Sequence, residues 1–325
     1  MTKQLTLLTW PDYINPVTLE QFESEFDARV NLEVVPSAVE LIERMTSDGP
    51  APDVLCPPDY AVRELEAQGR LAALDHRRLS NFEHLEKRFQ MGRPHDEGSH
   101  VSIIKDWGTT GFMIRTDMID EEPKSWTDFW RLARSAKFSG HVTVLDSPGE
   151  VIGAALKMRG HSYNASSADV LAGARDDLLS LKPHLLAFET NCKPLLISGE
   201  AYMALGWNGD AAALSAQGLP ITYVVPSEGS QIWEDDWAIA AYAANPELAH
   251  IFLNFVLRPE VAAQEARYTR YATGNRSALA LLDDEMRNDP STYPPETVLQ
   301  KLEAGMPLDE VGQKGRDELW QEVRA

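Results

Sequence analysis

Five places in this 325-residue chain set a carboxylate just past an apolar run, four of them with a large aromatic ring close by. They are Trp10, Asp12 and Tyr13 in "LTWPDYINP"; Asp59 and Tyr60 in "CPPDYAV"; Glu150 in "SPGEVIGAAL"; Trp207 and Asp210 in "ALGWNGDAA"; and Trp233 and Asp235 in "QIWEDDWAIA", with Trp237 two residues on. Carboxylates and aromatic faces are what an organic ammonium ion needs. The acids give charge-assisted hydrogen bonds to each nitrogen, and the rings give cation–π and apolar contact along the methylenes between. The pattern fits an aliphatic amine. Each residue also has a purely structural role open to it. Glu150 completes a capping box and Asp210 caps a helix, Asp12 and Asp59 suit Asx turns, and Trp207, Trp233 and Trp237 suit core or domain-interface packing. Their repetition favours the ligand role, because independent caps need no neighbouring aromatics.

The elements around them explain the placement. "QLTLL" reads as a strand, and Asn15-Pro16 as the cap and first turn of a helix with Val17, Leu19, Phe22 and Phe26 at near-helical spacing. "VNLEVVPS" is a second strand, "VELIERMTS" a helix, "DVLCPP" a short buried strand, and "VRELEAQG" a helix ending at a glycine. The alternation resumes with "HVTVLD", a helix from Ser147-Pro148, the strand "AYMALGW", a helix over "NGDAAALSAQG", and the strand "ITYVVP". A last strand over "WAIAAY" leads through Asn245-Pro246 into helices. Alternating strands and helices predict mostly parallel sheets, whose ligands sit beyond the strands' carboxyl ends. The chain divides near residues 105 to 114, with no flexible linker.

Composition excludes several classes of function. Fifty acidic residues against thirty lysines and arginines give a formal charge of -20, which opposes nucleic acid and anionic membranes and favours cationic partners. No apolar run approaches the roughly 18 residues of a membrane helix. Cys56 and Cys192 lie in unrelated contexts and are expected as buried free thiols, and no metal-ligand spacing is present. His95 and His100 fall in "GRPHDEGSHVS", which reads as a solvated loop. There is no phosphate loop, dinucleotide fingerprint, zinc-protease motif or nucleophile elbow, so nothing marks an enzyme and no cofactor is expected.

The sequence resembles the periplasmic putrescine- and spermidine-binding proteins of polyamine ABC transporters along nearly its whole length. The resemblance is carried in order by "TWPDYINP", "DVLCPPDYAVRELEAQG", "KSWTDFW", "VTVLDSPGEVIGAAL", "ALGWNGDAA", "VPSEGSQIWEDDWAIAA", "HIFLNFVLRPEVA" and "STYPPETV". It implies a type II periplasmic-binding-protein fold of two α/β lobes, each a mostly parallel sheet flanked by helices, with a hinge between them. Lobe one would be 1–111 plus 236–279, and lobe two 112–235 plus 280–325. A small polyamine such as putrescine would bind in the interlobe cleft, with Asp12 and Asp235 at one end and Glu150 and Asp210 at the other. Trp10, Tyr13, Tyr60, Trp207 and Trp233 would form the walls, and Tyr271 is added by the resemblance alone. The chain departs from the family pattern at Pro58, Ser147, Leu308 and Asp59. A monomer working with ABC permease subunits in the periplasm is implied, its signal peptide removed. The alternatives are a receptor for another amino compound, an amino acid or betaine held by Arg270 or Arg276, and an enzyme using Glu150 and Asp210 as an acid–base pair.

Overall fold

A computed structural model describes residues 2–47 and 49–325. The chain forms two compact units, each from separate stretches: Met1–Trp107 with Glu234–Arg287, and Gly108–Trp233 with Asn288–Ala325. The strands Ser102–Arg115 and Gln231–Ile239 run from one unit into the other. The first crossing, Trp107 to Gly108, thus lies inside a 14-residue strand.

In the first unit the strand order is Ala28–Val34, Lys3–Thr9, Val54–Leu55, Gln231–Ile239, Ser102–Arg115. The first three strands are parallel, while Gln231–Ile239 runs antiparallel to Val54–Leu55. Leu5, Leu7 and Leu8 of the opening strand are fully buried, as expected of a strand with neighbours on both sides and helices over it. The helix Pro16–Phe26 starts where its sequence dictates: the Asn15 side chain accepts from the Val17 amide at 2.9 Å, and proline occupies the first turn. It stops at Asp27, in left-handed conformation. Phe22 is sealed against Phe252 and Phe255, with ring centroids 5.0 and 5.5 Å away. Burying such a ring contributes roughly 1.5–3 kcal/mol before entropy is counted. Val17, expected on the same face, is exposed, because its place in the first turn carries it off the apolar stripe.

The second unit pairs Ser102–Arg115 antiparallel with Met203–Trp207 and with Ile221–Val224. Val142–Val144 runs parallel to Met203–Trp207 and to Leu185–Phe188. Its core gathers Phe112, Trp126, Phe129, Trp130 and the apolar face of the helix Pro148–Met158. Ser147 is the N-cap of that helix but makes no side-chain cap bond, so the capping box expected with Glu150 does not form. The Glu150 carboxylate is drawn instead to donors in the interior, described below. No helix among the described residues is long and apolar enough to cross a membrane.

Candidate functional site

Each unit carries a cluster in which buried acids meet indole and phenol rings. In the first, Trp10 follows the strand Lys3–Thr9, Tyr13 lies in the turn before the helix Pro16–Phe26, and Asp106 and Asp235 sit on two neighbouring strands. The Trp10 indole Nε1 donates to Asp235 Oδ2 at 3.0 Å, and the Tyr13 hydroxyl donates to Asp106 Oδ1 at 2.6 Å. Lys105, whose side chain is only 2% exposed, forms an ion pair with Asp106 and holds its ammonium 3.7 Å from the centre of the Tyr13 ring. Tyr271 packs against Tyr13 with centroids 5.9 Å apart. Trp237 is buried in the core, edge-on to Phe252.

Burial, and then repulsion from Asp106, push the Asp235 carboxyl up to about 7, against the pull of Tyr13, Lys105 and Trp10. A carboxyl in that state gains much from an incoming cation. Asp12 is exposed, in left-handed conformation with φ 55°, on the outside of its turn.

Asp59 lies elsewhere in the same unit. It is the first residue of the helix Asp59–Ala67, and its Oδ1 accepts from the Tyr60 amide at 2.7 Å. It is buried near His95, Glu234 and Asp236, and burial pushes its carboxyl up to about 8. Tyr60 is 43% exposed. The segment read as a solvated loop around His95 is a small hairpin, Gly92–Arg93 against Asp96–Glu97, turned inward. Asp236 is completely buried and therefore needs donors: Arg93 forms an ion pair with it, and His95 Nε2 lies 2.8 Å from its Oδ2.

In the second unit Glu150 is buried and accepts from the Trp207 indole Nε1 at 3.1 Å and from the Tyr163 hydroxyl at 3.2 Å. Gln231 lies beside it; with its amide nitrogen turned inward it donates to Glu150 Oε2 at 2.7 Å and Oε1 at 3.0 Å. Burial raises the Glu150 carboxyl above the ordinary range, although hydrogen bonds from Thr110, Trp207 and Tyr163 pull it down. Asp210, in the first turn of the helix Asn208–Ala216, forms an ion pair with Lys193; burial raises its carboxyl too, opposed by that lysine. The Trp233 ring covers Gly108, where a Cβ atom would overlap the indole. The Asn208 side-chain oxygen accepts from the Thr109 amide at 3.0 Å.

Of the residues read from the sequence, the structure brings together Trp10, Tyr13, Asp235 and Tyr271 in one unit, and Glu150 and Trp207 in the other. Lys105, Asp106, Tyr163, Lys193 and Gln231 were missed. Only "IIKDW" carried a usable signal, an adjacent charge pair within an apolar run that had to be buried. Among the described residues no group of three or more histidine, cysteine, aspartate or glutamate side chains is placed to hold a metal ion. Cys56 and Cys192 are free and buried.

Two discontinuous α/β units linked by continuous strands, with acid–indole clusters near strand ends, define the class of type II periplasmic binding proteins. The spermidine/putrescine ABC transporter substrate-binding protein PotD of Streptococcus pneumoniae shares the fold with a TM-score of 0.87 at 28% identity, covering 99% of this chain and 98% of that one. The family model described as bacterial extracellular solute-binding protein matches residues 18–294, and the chain belongs to that family. It is 31% identical to the spermidine/putrescine-binding periplasmic protein of Salmonella typhimurium over 92% of this chain and 85% of that relative. It is 29% identical to the putrescine-binding periplasmic protein PotF of Escherichia coli, over 99% of this chain and 92% of the relative.

Proposed function

We propose that this protein is the substrate-binding subunit of an ABC importer, working outside the cytoplasmic membrane, and that it binds putrescine or a similar small polyamine without catalysing any reaction. The observation that carries the reading is the pairing of one buried carboxylate with one indole N–H in each unit, Asp235 with Trp10 and Glu150 with Trp207. A neutral N–H donor orients a carboxylate without discharging it. Neither acid makes a direct ion pair among the described residues, and a buried charge without one costs far more than an exposed one. An alkylammonium ion supplies such a cation, and its methylenes supply an apolar body for the rings. The relatives named for spermidine and putrescine support this chemistry. Each cluster offers a carboxylate to an ammonium group, with docking to a permease following binding.

Isothermal titration with putrescine, cadaverine, spermidine, γ-aminobutyrate, betaine and maltose tests the reading. Saturable one-to-one binding of diamines without response to maltose is expected. A response to betaine or amino acids alone would overturn it.

A further inference from the structure

The buried ion pair Lys105–Asp106 stands beside the Tyr13 ring in the first unit, outside the acid–aromatic pattern legible in the sequence. Asp106 lies on the strand next to that of Asp235 and accepts from the Tyr13 hydroxyl at 2.6 Å. Lys105 is shared: it pairs with Asp106, its charge also acts on Glu265 and Asp235, and its ammonium lies 3.7 Å from the centre of the Tyr13 ring. We propose that Lys105 and Asp106 are positioning residues for amine capture in the first unit, the acid opposing and the lysine supporting a charged Asp235, so that the pair sets how acid the medium can become before an ammonium ion is no longer held. This rests on the amine-binding reading above and names what regulates its first carboxylate.

The other groups that face Asp235 leave the decision to these two charges. Trp10 gives it an indole N–H, and Tyr271 adds a phenol ring packed on Tyr13. Tyr13 keeps its proton, because burial and then Asp106 and Asp235 push the phenol well above its ordinary range. The Cys56 thiol keeps its proton too, pushed well up by burial first and by Asp235 second. Side chains alternate along the strand Gln231–Ile239, so Glu234 and Asp236 lie on its other face, in the ion-pair group of Arg93 and His95. Lys105 keeps its own charge: burial works against it, but its acidic neighbours, Asp106 foremost, hold the ammonium above its ordinary value. At Asp235 burial is the largest influence, repulsion from Asp106 the next, and attraction to Lys105 a smaller opposing one. With side chains only 2% and 5% exposed, Lys105 and Asp106 act on an amine through Asp235 and Tyr13 rather than by touching it.

The test is calorimetric titration with putrescine at pH 6 and pH 8.5 of the wild type, Asp106→Asn, Lys105→Met and the double variant, with melting curves of each protein. The quantity read is the ratio of affinity at pH 6 to affinity at pH 8.5, set against the wild-type ratio so that groups outside the cluster cancel. Asp106→Asn keeps an oxygen for the Tyr13 hydroxyl and removes the repulsion, so the ratio should rise about threefold or more. Lys105→Met should lower it by a similar factor. That change strands the Asp106 charge in the interior, so where Lys105→Met does not fold the double variant, which removes both charges, carries the test. Its ratio should also rise, by less than in Asp106→Asn, since Asp106 acts on Asp235 more strongly than Lys105 does. A pair that served the fold alone would weaken binding alike at both pH values. A ratio unmoved in Asp106→Asn or in the double variant, or moved the same way in both single variants, overturns this inference while leaving amine binding intact. An absence of binding by any amine to the wild type at pH 8.5 overturns the functional reading, and this inference with it.

Discussion

Trp10 and Asp235 are separated by 225 positions in the chain, and the indole Nε1 of the first donates to the carboxylate of the second at 3.0 Å. The bond is the means by which the sheet's first strand orients an acid on a strand that enters the unit much later. Asp235 also faces Pro58 across an isolated antiparallel bridge, and proline has no N–H to donate at that point.

If Asp235 receives a ligand ammonium, Asp235→Asn should lower putrescine affinity about ten- to a hundredfold, since a hydrogen bond to a charged group contributes roughly 1.5–3 kcal/mol. Trp10→Phe keeps an aromatic face and removes the N–H with the five-membered half of the indole, so its loss should be smaller, about two- to tenfold, near the range of a net neutral hydrogen bond. Calorimetric titration measures both. Equal losses in the two variants would mean that the Trp10 indole matters as much to binding as the Asp235 charge.

Glu150→Gln separates a ligand role from a capping role. Because Ser147 makes no cap bond and the Glu150 carboxylate is bonded to Trp207 and Tyr163, affinity should fall by about ten- to a hundredfold. Gln has the same shape, and a buried charge is removed, so the melting temperature of the free protein should not fall. A drop in melting temperature with full affinity would assign Glu150 to the fold alone.

Binding should weaken in acid. Asp235 stands at about 7 in the free protein and must be ionised to hold an ammonium group. Below that pH each binding event has to expel one proton, so the affinity should fall by up to about tenfold per pH unit and level off above pH 8. Titrations between pH 5.5 and 8.5 measure the slope. Asp235→Asn should flatten it.

Asp59 should leave its mark on stability. Its folded value of about 8 lies above the ordinary carboxyl value of 3.8, so between those limits the folded state holds a proton that the unfolded state releases. Stability from this group is therefore full below about pH 4 and is lost as pH rises toward 8. Asp59→Asn keeps an oxygen for the Tyr60 amide and removes the titration. The variant should gain melting temperature relative to wild type at pH 8, with a smaller gain at pH 5, by scanning calorimetry.

Much of this protein was legible because its signals are local. The strand at "QLTLL", the Asn15-Pro16 helix start and the alternation of strands with helices follow from backbone sterics and burial periodicity, which act over a few residues. Trp10, Tyr13, Glu150, Trp207 and Asp235 stood out because acids and large rings have no local reason to gather past strand ends. Other local signals misled. Glu150 fits a capping box by spacing, yet three donors from distant segments hold its carboxylate. His95 sits among glycine and charged residues that read as a solvated loop, yet the buried charge of Asp236 turns that hairpin inward.

The sequence by itself determined the α/β order, the excess of acid and the residue types able to recognise an amine, because composition and short-range periodicity contain them. Only the tertiary structure decided which acids pair directly with a lysine. Lys105 and Lys193 read as ordinary lysines until folding brings their ammonium groups to Asp106 and Asp210. Whether a carboxylate is spent or available depends on through-space distance and on water excluded from around it, and neither quantity is written in the spacing of residues along a chain.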